Sequence, residues 1–510
     1  MAVEPAPVDD AAPQAIGQAW LHEFLRLHVP PASTRSFVGP HARKTVNDGN
    51  ATTEYYPLAY AVPDTIVDHL KFALRREPVD LGIIVATLKA MDPRTLEAWI
   101  RAEPTGAYSR RAWFLYEHFT GHTLDVPDAS TGNYVPALDP KRHIVAERRN
   151  SRRHRVIDNL LGGPRLCPTV RLTPRLRDLM DLRLTERARR IVEEHDADTL
   201  ARAVRYLYTK ETRSSFAIER ETPSATRTER FVAALEAAPA FDPSDKTAIV
   251  ALQGRIVDPR YAEQTWRKEQ NFVGETVGGV WEEVVHFVPP RPEDVDDLMH
   301  GWMELTDRVV TGGVDPVVAA AVSSFAFVFI HPFMDGNGRI HRFLIHHILA
   351  KRSFGPQGVV LPVSAAIVRD MHGYDEALET FSRPLARLVD WRWTPDREIV
   401  VDQDTADLYR YFDATPLAEY LYGRVEDSIE RDLRQELGFI ATFDRALAAA
   451  REIVDMPDRR ASLFIRLCLQ NGGTLARGNR RTFAELSDEE VAALERAIRG
   501  ATEGAGGERQ

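Results

Sequence analysis

His331-Pro332-Phe333-Met334-Asp335-Gly336-Asn337-Gly338-Arg339-Ile340-His341-Arg342 is the stretch that decides how this chain reads. An apolar run, Val317 to Ile330, ends just before it. Pro332 disfavours helical backbone at the residue before it, so the helix should stop at His331. Asp335-Gly336-Asn337-Gly338 is a turn made of residues that tolerate positive φ. A second helix is expected to start near Gly338, with Ile340, Leu344 and Ile348 on one face and Ile345 and Leu349 beside them.

A glycine-rich turn that opens a helix presents backbone N–H groups to an anion, and the helix dipole favours negative charge there. Arg339 and Arg342 stand at i and i+3 and so share a face of the first turns. Guanidinium groups beside such N–H groups suit a polyphosphate. Asp335 is an oxygen ligand of the kind Mg²⁺ takes together with substrate phosphates. His331 has the side chain best suited to general-base work at neutral pH. Each feature alone has an ordinary explanation: a turn histidine, a tight turn, a solvated arginine face. Their occurrence together and in this order points to phosphoryl or nucleotidyl transfer.

The segment resembles the HPFxDGNGRxxR motif of the Fic (Fido) family, matching every fixed position. The resemblance implies a mainly α fold: a Fic-type helical core with a β-hairpin flap. It implies transfer of AMP from ATP to a Ser, Thr or Tyr hydroxyl of a target protein, itself included, with Mg²⁺. His331 would be the catalytic base and Asp335 the metal ligand. Gly336, Asn337 and Gly338 would line the anion hole, with Arg339 and Arg342 on the outer phosphates. The related Doc toxins, which transfer phosphate, carry a lysine in the anion hole; Gly338 here favours AMP transfer.

Three further segments are similar to family elements. Trp266–Val288 resembles the flap, with Val273 and Gly274 nearest the nucleotide and the target docked along the hairpin. Tyr374-Asp375-Glu376-Ala377-Leu378 resembles an adenine-flanking Tyr-Tyr-x-x-Leu element; Asp375 replaces the second tyrosine, so only Tyr374 carries over. Ser214-Ser215-Phe216-Ala217-Ile218-Glu219 resembles the inhibitory [S/T]xxxE[G/N] motif through Ser215 and Glu219, but Arg220 stands where Gly or Asn is usual. Glu219 would engage Arg342 and hold the enzyme in check. His341, His346 and His347 are not spaced as HExxH and read as helix-surface or packing residues.

Around this core, residues 1–13 read as a disordered N-terminus and 14–175 as a mixed accessory domain ending in a basic connector. Residues 176–395 form the core, including the inhibitory helix and flap; 396–500 are a helical C-terminal region and 501–510 a disordered tail. Helices are expected at Trp20–His28, Pro63–Leu74, Pro93–Arg101 (capped by Asp92), Leu176–His195, Asp198–Thr209, Asp294–Arg308 and Pro316–Ile330. Phe464–Leu469 and Leu475–Phe483 are the place for a winged-helix-like module.

The 510 residues are 44% hydrophobic and 27% charged, with a net charge of −10, a globular composition that does not suit a nucleic-acid or membrane coat. The basic run Lys141–Arg155 could touch nucleic-acid phosphates, but a solvated or salt-bridged face weighs more heavily. Two distant cysteines argue against a disulfide framework or zinc ribbon. No signal-peptide pattern opens the chain, and no apolar run reaches the roughly 20 residues of a bilayer span. A cytoplasmic protein is expected, with self-association left open. The alternatives are the same fold with another nucleotide donor, or a nucleotide-sensing or nucleic-acid-binding regulator.

Overall fold

The computed structural model describes residues 12–49, 51–277 and 282–503. The expected disordered segments fall largely outside them. Residues 1–11 and 504–510 are not described, whereas residues 501–503, expected in the tail, end the helix Asp488–Glu503. The fold is mainly helical with small sheets, as the motif led one to expect. By their contacts the residues fall into two compact units, Met1–Leu182 with Ser215–Phe354 and Ile367–Arg424, and Arg183–Ser214 with Gly355–Ala366 and Val425–Gln510.

The first unit opens with a four-stranded sheet in the order Gln14–Ile16, Thr34–Gly39, Ala51–Pro57, Lys44–Asp48. Four helices follow: Ile66–Arg76, Leu81–Ala90, Pro93–Ala102 and Ala107–Thr120. Asp92 caps the third through a 3.0 Å bond from Arg94 N, with Pro93 at the first helical position. Trp113, Phe114 and Leu115 are buried in the fourth and give this region its own core. Much of the basic connector is spent on structure. Arg153 binds Glu117 at 2.9 Å and Asp128 at 2.6 Å, and Arg155 donates to Ser130 O at 3.0 Å. Arg148, Arg149 and Arg152 remain exposed.

The helix Pro316–Ile330 is buried on nearly every side. Such a helix belongs at the centre of a core. Asp315 caps it by accepting from Val317 N and Val318 N. Its two serines are both buried, and Ser323 is bonded there: its O accepts from Trp302 Nε1 at 2.8 Å, and its Oγ meets Thr306 Oγ1 at 2.7 Å. Pro292–Thr311 and Asn337–Lys351 both pack against it. His341, His346 and His347 all prove to be packing residues rather than surface ones. His341 lies 4.6 Å from the Phe325 ring centroid, and burial pushes its pKa down to about 3.

The second unit is built from helices among its described residues, with Phe464, Ile465, Phe483, Leu494 and Ile498 in its core. No strand occurs among them, so the winged-helix expectation is not met; Leu475–Phe483 lies largely in a 3₁₀ segment, Arg477–Phe483. Leu176–His195 is also corrected. It breaks into Pro174–Asp181 and Leu184–Glu193 because Arg183 takes a left-handed conformation, φ 49°. No described helix is long and apolar enough to cross a membrane.

Candidate active site

The core helix ends at Ile330, and His331 adopts the left-handed conformation at φ 53°. This turns the chain sharply into the loop. His331 Nδ1 lies 3.1 Å from Val328 O. A carbonyl can only accept, so Nδ1 carries the proton and Nε2 keeps a lone pair. Desolvation lowers the pKa of His331 to about 4, opposed by the Val328 contact and assisted by the nearby Arg267. The ring is therefore neutral at pH 7.

Asn337 holds the loop closed. Its Oδ1 accepts from Phe333 N at 3.0 Å and its Nδ2 donates to Phe333 O at 2.7 Å. Gly336 has φ 89°, and a Cβ there would also come within 2.8 Å of Val257 Cγ1, so both conformation and space require glycine. The motif helix runs Asn337–Lys351. Its first two turns carry Arg339 and Arg342, whose side chains are almost fully buried.

Glu219, just beyond the end of the helix Ala197–Ile218, reaches both arginines. One carboxylate oxygen lies 2.7 Å from Arg342 Nη2 and the other 2.7 Å from Arg339 Nε. Ser215 adds two contacts to Arg342: Nε donates to its Oγ at 2.8 Å and Nη2 to its carbonyl at 2.7 Å. Arg339 Nη2 also donates to Asp335 Oδ1 at 2.7 Å, and the Phe216 ring centroid stands 5.3 Å from its guanidinium carbon. A Cβ on Gly338 would fall 2.5 Å from Glu219 Oε1, so the missing side chain is space the carboxylate uses. His331, Asp335, Gly336, Asn337, Gly338, Arg339, Arg342, Ser215 and Glu219 thus form one site.

Tyr374 comes to the same place by another route. It is buried beside Arg342, and burial raises its pKa. Its ring stacks on His341 at 6.3 Å. Val273 and Gly274 lie in the first strand of the hairpin, Val273–Val277, paired antiparallel with Glu282–Phe287. Val273 is exposed, and its strand partner Phe287 packs 6.2 Å from Phe329 of the core helix. The hairpin glycines Gly278 and Gly279 lie outside the described residues.

Several residues outside the motif brace the loop. Gln253 donates to Asp335 O at 3.3 Å, Glu263 accepts from Met334 N at 2.8 Å, and Asn271 donates to Phe333 O at 3.0 Å. Arg267 Nε donates to His331 O at 2.9 Å.

The model of the family described as "Fic/DOC family" matches residues 243–349, which hold the hairpin, the core helix and the loop through most of the motif helix. Residues 243–349 are a Fic/DOC-family domain. Ser215, Glu219 and Tyr374 lie outside the matched stretch. The chain is 36% identical over 111 residues to "Protein adenylyltransferase Fic" of Nematostella vectensis, covering 20% of this chain and 23% of that protein. It is 36% identical over 80 residues to "Protein adenylyltransferase fic-1" of Caenorhabditis elegans, covering 16% and 15%. The matched segments thus span a quarter or less of these curated relatives. Among solved structures, a Fic family protein from Desulfovibrio desulfuricans G20 overlays with TM-score 0.38 and 19% identity, over 61% of this chain and 87% of that one. Fic-1 from C. elegans gives 0.33 and 20%, over 71% and 90%. At these scores the overlays carry no argument of their own.

Proposed function

We propose that this protein is an adenylyltransferase that moves AMP from ATP to a Ser, Thr or Tyr hydroxyl of a target protein, and that Glu219 restrains it. The reading is carried by the convergence of a neutral histidine, a glycine turn at a helix N-terminus and two buried arginines on that helix. In the reaction His331 Nε2 takes the proton of the target hydroxyl. The hydroxyl oxygen bonds to the α-phosphorus, and the bridging oxygen leaves on pyrophosphate. The N–H groups of Gly336, Asn337 and Gly338 receive charge on the phosphates, with Arg339 and Arg342 on the outer ones. Tyr374 and the strand at Val273 and Gly274 border the nucleotide. The hairpin, residues 266–288, holds the target segment by strand addition.

The residues fit Mg²⁺ brought in by the nucleotide better than a resident metal. Among the described residues no cluster of three or more His, Cys, Asp or Glu could hold an ion, while Asp335 is half-exposed and offers one carboxylate. Mg²⁺ held there would neutralise phosphate charge.

Glu219 occupies the two guanidinium groups that the outer phosphates need. ATP must displace it or bind with its α-phosphate out of line. The donor is tested by competition: unlabelled ATP, UTP and GTP are added against labelled ATP, and the intact mass of the modified target is measured. ATP alone should compete strongly, and the target should gain the mass of an adenylyl group. Equal competition by UTP or GTP would move the activity to another donor.

A further inference from the structure

We propose that Arg267 is a positioning residue that locks the base of the hairpin to the loop carrying His331, so that target segment and general base share one register. The consequence for catalysis rests on the adenylyl-transfer reading; the lock itself does not.

Arg267 sits at the start of the segment that leads into the hairpin, and its side chain is 3% exposed. Among the described residues every hydrogen bond of its guanidinium goes to main chain. Nε donates to His331 O at 2.9 Å, Nη1 to Glu269 O at 3.0 Å, and Nη2 to Pro290 O. Its own N–H donates to Pro332 O at 2.8 Å. Glu269 precedes the first hairpin strand and Pro290 follows the second. The guanidinium therefore ties both legs of the hairpin to His331 O, and the backbone N–H of the same residue adds Pro332 O, the next carbonyl after the core helix. Asn271 adds a parallel tie to Phe333 O, and Gln270 joins the legs through Pro289 O at 3.0 Å.

Two physical points make this more than packing. Arg267 forms no ion pair among the described residues, and burial pushes its pKa down to about 10. A buried cation held only by carbonyls is a poor way to gain stability, since an apolar side chain of similar size would avoid the desolvation. What arginine supplies is a rigid planar fan of donors that can grip three carbonyls at fixed angles; a lysine cannot reproduce it. The grip also falls where the backbone needs holding. His331 is a non-glycine residue at positive φ, a conformation that persists when its surroundings over-determine it.

The test compares Arg267→Lys, Arg267→Gln and Asn271→Ala in a Glu219→Gly background, with the full chain. Hydrogen–deuterium exchange is followed at residues 269–273 and 331–335, alongside ATP affinity and kcat. Loss of the lock should speed exchange in both segments together in each Arg267 variant, by about tenfold. It should lower kcat by about thirtyfold or more while ATP affinity stays within about threefold, as displacement of a reacting group does. Asn271→Ala, which leaves Arg267 in place, should show a smaller change in the same two segments and serves if the Arg267 variants fold poorly. Unchanged exchange at 331–335, or an equal fall in ATP affinity and kcat, would overturn the proposal. If the Glu219→Gly protein with Arg267 intact transfers nothing, the adenylyl-transfer reading fails instead, and exchange still judges the lock.

Discussion

Glu219 lies 2.7 Å from Arg342 Nη2 across 123 positions of sequence, and the same carboxylate bridges to Arg339 through its other oxygen at 2.7 Å. Both arginines of the motif are therefore paired with one side chain, and Arg339 with Asp335 as well. Replacing it should free both. Glu219→Gly should raise AMP transfer by about 5- to 150-fold, the range of a typical coupling energy between sites, and lower the melting temperature because two buried guanidinium groups lose the carboxylate they share. Transfer of labelled AMP and a thermal melt check both.

Gly338 and Glu219 are coupled by space. A methyl group at 338 would meet Glu219 Oε1 at 2.5 Å. Gly338→Ala should destabilise the wild type by about 1–3 kcal/mol, the usual cost of overpacking. In the Glu219→Gly background most of that cost should vanish. A double-mutant cycle from denaturant unfolding measures the difference; additive effects would show that the two positions do not touch.

Arg220 is a departure from the inhibitory motif at a position whose backbone suits Gly or Asn. It sits at φ 58°, just past the end of the helix Ala197–Ile218. Gly and Asn visit this conformation readily, whereas other residues pay roughly 1–2 kcal/mol. Arg220→Gly should therefore stabilise the folded protein by about 1 kcal/mol. It should also hold Glu219 more firmly, so basal AMP transfer should fall. Unfolding curves and a transfer assay on the same preparation check both signs.

His331 sets a pH window. Its folded pKa, about 4, lies below its ordinary 6.5. Between these values the unfolded chain binds the proton and the folded chain does not. His331 thus lowers stability as pH falls from about 6.5 towards about 4 and has no such effect above that range. An NMR titration of the labelled imidazole should find it neutral at pH 6, with Nδ1 protonated. His331→Ala should keep ATP affinity and lose transfer by about 10²- to 10⁴-fold, the usual weight of a general base.

How much of this was legible depended on how local each cause is. Pro316–Ile330 is a helix from end to end as read, because Asp315 and Pro316 start it and His331 and Pro332 stop it. The break at Arg183 escaped notice because no Gly or Pro marks it. The loop from His331 to Arg342 could be read because its chemistry is contiguous. Glu219 came from a motif, but its second contact, to Arg339, depends on a helix arriving from elsewhere in the chain. Gln253, Glu263, Arg267 and Asn271 brace the loop largely through main-chain groups and leave no repeating pattern. One faint sign was present: Arg267 and Asn271 are polar, four residues apart, and flanked by Trp266 and Phe272.

The most direct measurement is transfer of radiolabel from α-labelled ATP, with Mg²⁺, by the wild type, Glu219→Gly, and Glu219→Gly with His331→Ala, using a cell lysate as the source of targets. The account predicts weak labelling by the wild type, strong labelling of one or a few proteins by Glu219→Gly, and none by the double variant. Equal labelling by Glu219→Gly with and without His331, or none from Glu219→Gly at all, would contradict it.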